Sequence, residues 1–145
     1  MITLVIDASV AIKWIVEEEG TPEALALRHK AKLIAPDFLA AECANILWKK
    51  VQRKELTSKE AHLAARLLQA ADIELLPMRP LLEAATKLAI ALDHPAYDCI
   101  YLALAVEKDC KLVTADERLL RRLEQTRRPH LRAKAMSLVE RAKPP

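Results

Sequence analysis

The chain has 145 residues, 52% hydrophobic and 30% charged, which suits one folded domain with a sizeable core and excludes a disordered tail. Its net charge of +3 is too small to argue nucleic-acid binding on its own. The single glycine, Gly20, excludes a dinucleotide fingerprint, a P-loop and a glycine-rich kinase loop, which need several glycines for close backbone approach to phosphate.

In chain order, Ile2–Ile6 is predicted as a short apolar strand that runs directly into Asp7. Ala8–Glu18 reads as a helix. Thr21-Pro22-Glu23 starts another, with Thr21 as N-cap and proline in the first turn. Leu33–Ala35 is a very short strand. Pro36 opens a helix to about Arg53, and Ser58 opens one to about Ala71. Ile73–Leu76 is a third strand. Pro80 starts a helix to Leu92, and Pro95 one to Lys108. Leu112–Thr114 is a strand, Asp116–Glu124 a short helix and Ala135–Val139 a last strand. Strands alternating with helices predict an α/β fold, a three-layer α/β/α sandwich with a mainly parallel central sheet, and one domain over residues 1–145. Ligands of such sheets sit outside the carboxyl ends of the strands.

Other residue classes narrow the chemistry. Cys43, Cys99 and Cys110 have no CxxC spacing and sit in apolar contexts, as buried free thiols of a reducing compartment do. His29, His62, His94 and His130 form no zinc spacing, and His94 reads as a turn residue before Pro95. No leader-like stretch or long apolar run marks a membrane span, so a cytoplasmic protein is expected. From Arg118 to Pro145 nine Lys or Arg stand against Glu124 and Glu140, a balance that suits a polyanion partner or a solvated helix face.

The carboxylates carry the argument. Asp7 and Asp116 each follow a strand and would share one sheet edge, where either alone would serve as a helix cap. Glu42 falls within the apolar stripe of its helix, four residues from both Phe38 and Ile46. It needs a partner there: Asn45 one turn on, or a basic residue from elsewhere. Asp98 lies in the first turn of an apolar helix on the face of Tyr101, Leu102 and Ala105. Like charges about 4 Å apart repel by roughly 4 kcal/mol at an effective dielectric near 20. Several carboxylates at one edge must therefore take up protons or hold a cation. All-oxygen ligands select a hard ion, Mg²⁺ or Mn²⁺, which activates water and steadies the leaving oxygen of a phosphodiester.

With these four acids in place, the chain resembles the PIN-domain nucleases, and most closely the toxin ribonucleases of VapBC toxin–antitoxin pairs. The likeness lies in VIDASVAIKW, APDFLAAECANILWKK, HPAYDCIYLALA and LVTADERLL, in the family's order and spacing. It implies a Mg²⁺- or Mn²⁺-dependent endoribonuclease that cleaves single-stranded or looped RNA. Asp7, Asp98 and Asp116 match the family's metal ligands, and Glu42 matches its fourth acid. Ser9 and Thr114 match small hydroxyl positions beside the site, and Asn45 a polar neighbour of the acid. The resemblance also implies a homodimer and a cognate VapB-like antitoxin that lays a tail over the groove, with Trp14 and Trp48 as groove or core residues. Asp93 departs from the family, in which small residues are common there.

Two other α/β families fit poorly. A haloacid-dehalogenase phosphatase wants a second Asp where Ser9 stands, and a response-regulator receiver wants an Asp after the third strand, where Pro77 stands. The alternative of another class is a catalytically silent RNA- or protein-binding module that keeps the fold. A pure binder would tolerate loss of any of the four acids, and all four are present.

Overall fold

The most apolar stretches form the middle of a five-stranded, wholly parallel sheet. The computed structural model describes residues 1–139. Strand β1 (Ile2–Ile6) is central, and its Leu4, Val5 and Ile6 are fully buried because helices cover both faces. It pairs with β2 (Ala31–Pro36) on one side and β4 (Lys111–Thr114) on the other. Strands β3 (Glu74–Leu76) and β5 (Ala135–Ser137) close the edges, giving the order β3-β2-β1-β4-β5. Both edge strands are three residues long, which leaves little free ladder for another chain to join.

Right-handed crossovers assign the helices to two layers. The connections β1→β2→β3 carry α1 (Ala8–Ala11), α2 (Thr21–Lys30), α3 (Phe38–Gln52) and α4 (Ser58–Gln69) over one face. The chain then returns over the other face through α5 (Leu82–Leu92) and α6 (Ala96–Glu107), and continues into α7 (Glu117–Gln125) and α8 (Pro129–Arg132). Helix α6 packs on β1, β2 and β4, and its run Tyr101–Ala105 is buried throughout. This is the three-layer α/β/α sandwich expected from the alternation of elements. The strand order reverses between β1 and β4, so a crevice opens at their carboxyl ends, the switch point where ligands of such sheets bind.

Several boundaries differ from the sequence expectation. The helix expected over Ala8–Glu18 is only α1 followed by a 3-10 turn, Ile12–Trp14. Val10, Ile12, Ile15 and Val16 are β-branched, and Glu17–Glu19 would place three acids at the negative end of a helix dipole. Glu18 instead pairs with Lys13 and Lys50, both at 3.0 Å. Thr21 does not cap α2. Gly20 holds the cap position at φ 90°, a left-handed turn that favours glycine, and the Thr21 hydroxyl accepts the Glu18 N–H at 3.0 Å. Pro36 ends β2 rather than opening α3, and β2 runs three residues beyond Leu33–Ala35. Ile73 precedes β3, α8 was not foreseen, and β5 ends at Ser137, two residues short of Val139. Among the described residues no single helix is long and apolar enough to cross a membrane; Arg79–Leu92 and Ala96–Glu107 pass that test only together, bent by 116°.

Leu102 sits fully buried at the middle of α6, beneath the residues that face the crevice. Replacing it with alanine should cost about 2–5 kcal/mol. Urea unfolding should show this as a lower midpoint with an unchanged slope.

Candidate active site

The crevice begins where β1 ends. Ile6 stands beside Val113, so the next residues along the two strands, Asp7 and Thr114, come together at the sheet edge. Both are buried, Asp7 at 6% exposure and Thr114 at 0%. The Thr114 hydroxyl donates to Asp7 Oδ2, and the Ser9 hydroxyl donates to Oδ1 at 2.5 Å. Each hydroxyl oxygen in turn accepts a backbone N–H, Ser9 from Ala115 at 3.0 Å and Thr114 from Asp116 at 2.9 Å. The two strand ends are thus joined by a closed set of hydrogen bonds that fixes Asp7. Asp7 occupies the N-cap position of α1 but makes no side-chain cap bond, so the capping role that the sequence allowed does not explain its carboxylate.

Asp116 does act as a cap. Its Oδ1 accepts the Arg118 N–H at 2.9 Å and the Leu119 N–H at 3.4 Å, which anchors the carboxylate at the start of α7. Asp98 projects from the first turn of α6, and its Oδ2 lies 2.6 Å from His94 Nε2. Ligand atoms of His94, Asp98 and Asp116 all lie within 4.8 Å of one another. Glu42 reaches the crevice from α3 in the opposite layer. Its partner is Tyr101 on α6, whose hydroxyl donates to Oε1. Phe38 stacks on Tyr97 at 5.6 Å between the same two helices and closes the gap beside Glu42.

The charges of the four acids act on one another. Burial pushes the Asp7 carboxyl up to about 7, against the pull of Ser9 and Thr114, and the charges of Asp98 and Glu42 add to the rise. Burial is also the main cause that raises Glu42, with Asp98 and Asp116 contributing and Tyr101 opposing. Asp98 is raised by burial and by Asp116, although His94 opposes the shift. Among the described residues no Lys or Arg pairs with any of the four, so the buried salt bridge considered for Glu42 is not formed. Burial pushes the Cys43 thiol up to about 12 and that of Cys99 up to about 11, which leaves both as inert apolar residues.

The crevice therefore brings together Asp7, Glu42, Asp98, Asp116, Ser9 and Thr114. Asn45 is not among them. It is exposed on α3, and Tyr101 takes the place beside Glu42 that the sequence reading gave it. Trp14 belongs to the core, with its indole N–H on the Ala24 carbonyl at 2.9 Å, while Trp48 is 55% exposed. The sequence reading set aside one functional candidate, His94. Its spacing of four from Asp98 is the signal that could have found it, but Pro95 between them hides the helical relation. Of the basic C-terminal residues, Lys134 is paired with Asp109 at 2.5 Å, and Arg141 and Lys143, like the acid Glu140, lie outside the described residues.

Residues 4–125 match the family profile described as PIN domain. Among solved structures, PAE2754 from Pyrobaculum aerophilum is similar with a TM-score of 0.68 and 21% identity, over 97% of this chain and 93% of that one. VapC20 of Mycobacterium tuberculosis, described as a sarcin-ricin loop cleaving toxin, is similar with a TM-score of 0.60 and 14% identity, over 77% of this chain and 86% of that one. At these identities the two structures attest the fold. No curated protein matches the chain.

A carboxyl raised from 3.8 to about 7 binds its proton more tightly in the folded chain than in the unfolded one. Its burial then costs nothing below pH 4, and the cost grows as pH rises toward 7. Without divalent cation, Asp7→Asn should raise the melting temperature at pH 7.5, by a stabilisation of at most about 4 kcal/mol. The hydroxyls of Ser9 and Thr114 can turn to suit the amide. The gain should vanish near pH 4, and a gain independent of pH would show that Asp7 is not held out of its charged form.

Proposed function

The chain belongs to the PIN domain family, and on that premise we propose that it is a divalent-metal-dependent endoribonuclease of the VapC type. One observation carries the reading. Four carboxylates meet at the switch point of a parallel sheet, three of them with raised proton affinity, and among the described residues no Lys or Arg pairs with them. A site of this kind lowers its own free energy by exchanging protons for a hard cation. The donor set fits Mg²⁺ or Mn²⁺, with Asp7, Asp98 and Asp116 as the residues that would hold the ion and Glu42 beside them. When bound, such an ion supplies Lewis acidity toward a phosphodiester and a water nucleophile at neutral pH.

The chain's own residues do the rest. Ser9 and Thr114 hold both oxygens of Asp7, so the carboxylate cannot swing away when its proton leaves. His94 orients Asp98 through its Nε2, as an outer partner of a ligating carboxylate does. Tyr101 occupies Oε1 of Glu42, which leaves Oε2 for a proton from the attacking water. RNA is favoured as the substrate by the likeness to VapC20, described as a sarcin-ricin loop cleaving toxin. The same VapC likeness supports a cognate VapB-like antitoxin, a homodimer, a cytoplasmic location and a single domain over residues 1–145.

The test is cleavage of pooled cellular RNA with Mg²⁺ or Mn²⁺. His94→Gln should lose about 10–100-fold in rate, the usual cost of removing an outer-shell partner, and Asp7→Asn should lose more. Chelator should abolish the wild-type activity. Equal cleavage by wild type and Asp7→Asn would sink this site as the catalytic one.

A further inference from the structure

Helix α7 leaves the crevice with its amphipathic faces sharply divided. Leu119 and Leu123 are buried against the core. Arg118, Arg121, Arg122 and Gln125 follow the spacing i, i+3, i+4, i+7 and share the opposite face. That face is not merely solvated. It forms one wall of a cavity of about 470 Å³ whose other wall is Asp93, His94, Pro95 and Asp98 from the turn into α6. The cavity therefore adjoins the carboxylate cluster through His94 and Asp98. Its basic wall starts one turn from Asp116, which caps the Arg118 N–H.

The charge balance points to an anionic ligand. None of the three arginines forms an ion pair among the described residues, although Asp93 lines the same cavity. Among the described residues the only polar contact of an arginine side chain there is internal, Arg121 Nε donating to the Glu117 carbonyl at 3.4 Å. Guanidinium groups present planar forks that match phosphate oxygens, and three on one concave wall outnumber the two carboxylates opposite, of which Asp98 is already bound to His94.

We propose that Arg118, Arg121 and Arg122 form a phosphate-binding subsite that holds the RNA backbone next to the scissile phosphodiester. The inference rests on the ribonuclease reading and adds the path of the strand: away from the acids, past His94 and along α7. The arginines make no contact with the reacting atoms. They are binding residues, and their loss should weaken RNA affinity without touching the cation site.

The experiment is a fluorescence anisotropy titration of a labelled single-stranded oligoribonucleotide in chelator, so that it stays intact, at a series of salt concentrations. Wild type is compared with Arg121→Gln/Arg122→Gln and with a control pair on the opposite layer, Lys59→Gln/Arg66→Gln. Each lost phosphate contact lowers the slope of log Kd against log salt by about 0.7 for a single strand. The α7 pair should lose about 1.4, the control nothing, and all three chains should show the same Mn²⁺-induced rise in melting temperature. A slope unchanged in the α7 pair, with wild type binding the RNA, would overturn the subsite alone. A wild-type chain that binds no oligoribonucleotide would overturn the ribonuclease reading and the subsite together.

Discussion

Everything at the carboxyl edge of the sheet follows from the burial of one carboxylate. Asp7 follows a strand whose last three residues, Leu4, Val5 and Ile6, are fully buried, and a charge there is costly unless something replaces water around it. Two hydroxyls do part of this. They fix the group, yet they do not neutralise it, and burial still holds its proton affinity far above that of an ordinary aspartate. Asp98, Asp116 and Glu42 then raise the demand for positive charge rather than meet it. A protein selected for stability alone would place an apolar or amide side chain at position 7.

The supporting structure is arranged so that this demand cannot be met internally. Glu42 is braced by a neutral phenol, not by a cation. Lys13 on the 3-10 turn and Lys50 on α3 are both bound to Glu18 in the loop before α2. Lys134 is held at Asp109. The exception among the described residues is His94, the one titratable base in contact with the cluster, and it bonds there to Asp98. Positive charge on α7 faces the adjoining cavity, where it is available to a ligand rather than to the acids.

The acids and their shared edge were legible in the sequence because two rules meet there: strands of an α/β sheet end together, and helices that follow strands begin there. The parallel order itself follows from alternating elements, and Ser9 and Thr114 were identified with their acids through the family likeness. What could not be read were side-chain choices made across long separations. Tyr101 was seen to share a helical face with Asp98, but its hydroxyl turns to Glu42 from the other layer. Asn45 was one of two candidates there because it lies one turn away on the same helix, and it faces solvent. His94 was masked by Pro95. The early end of α1 required weighing three successive acids against a helix dipole, a local conflict that apolar spacing alone does not register.

The bond between Thr114 and Asp7 joins residues 107 positions apart. Asp7 leaves the ribosome well before Thr114 and Asp116, since a chain elongates at about 5–20 residues per second. For most of that time the nascent protein carries isolated acids and no crevice. The pocket exists only after β4 has inserted beside β1, so a truncated or stalled product lacks it however well its first half has folded. Assembly order thus acts as a timer, delaying competence until β4 has been translated.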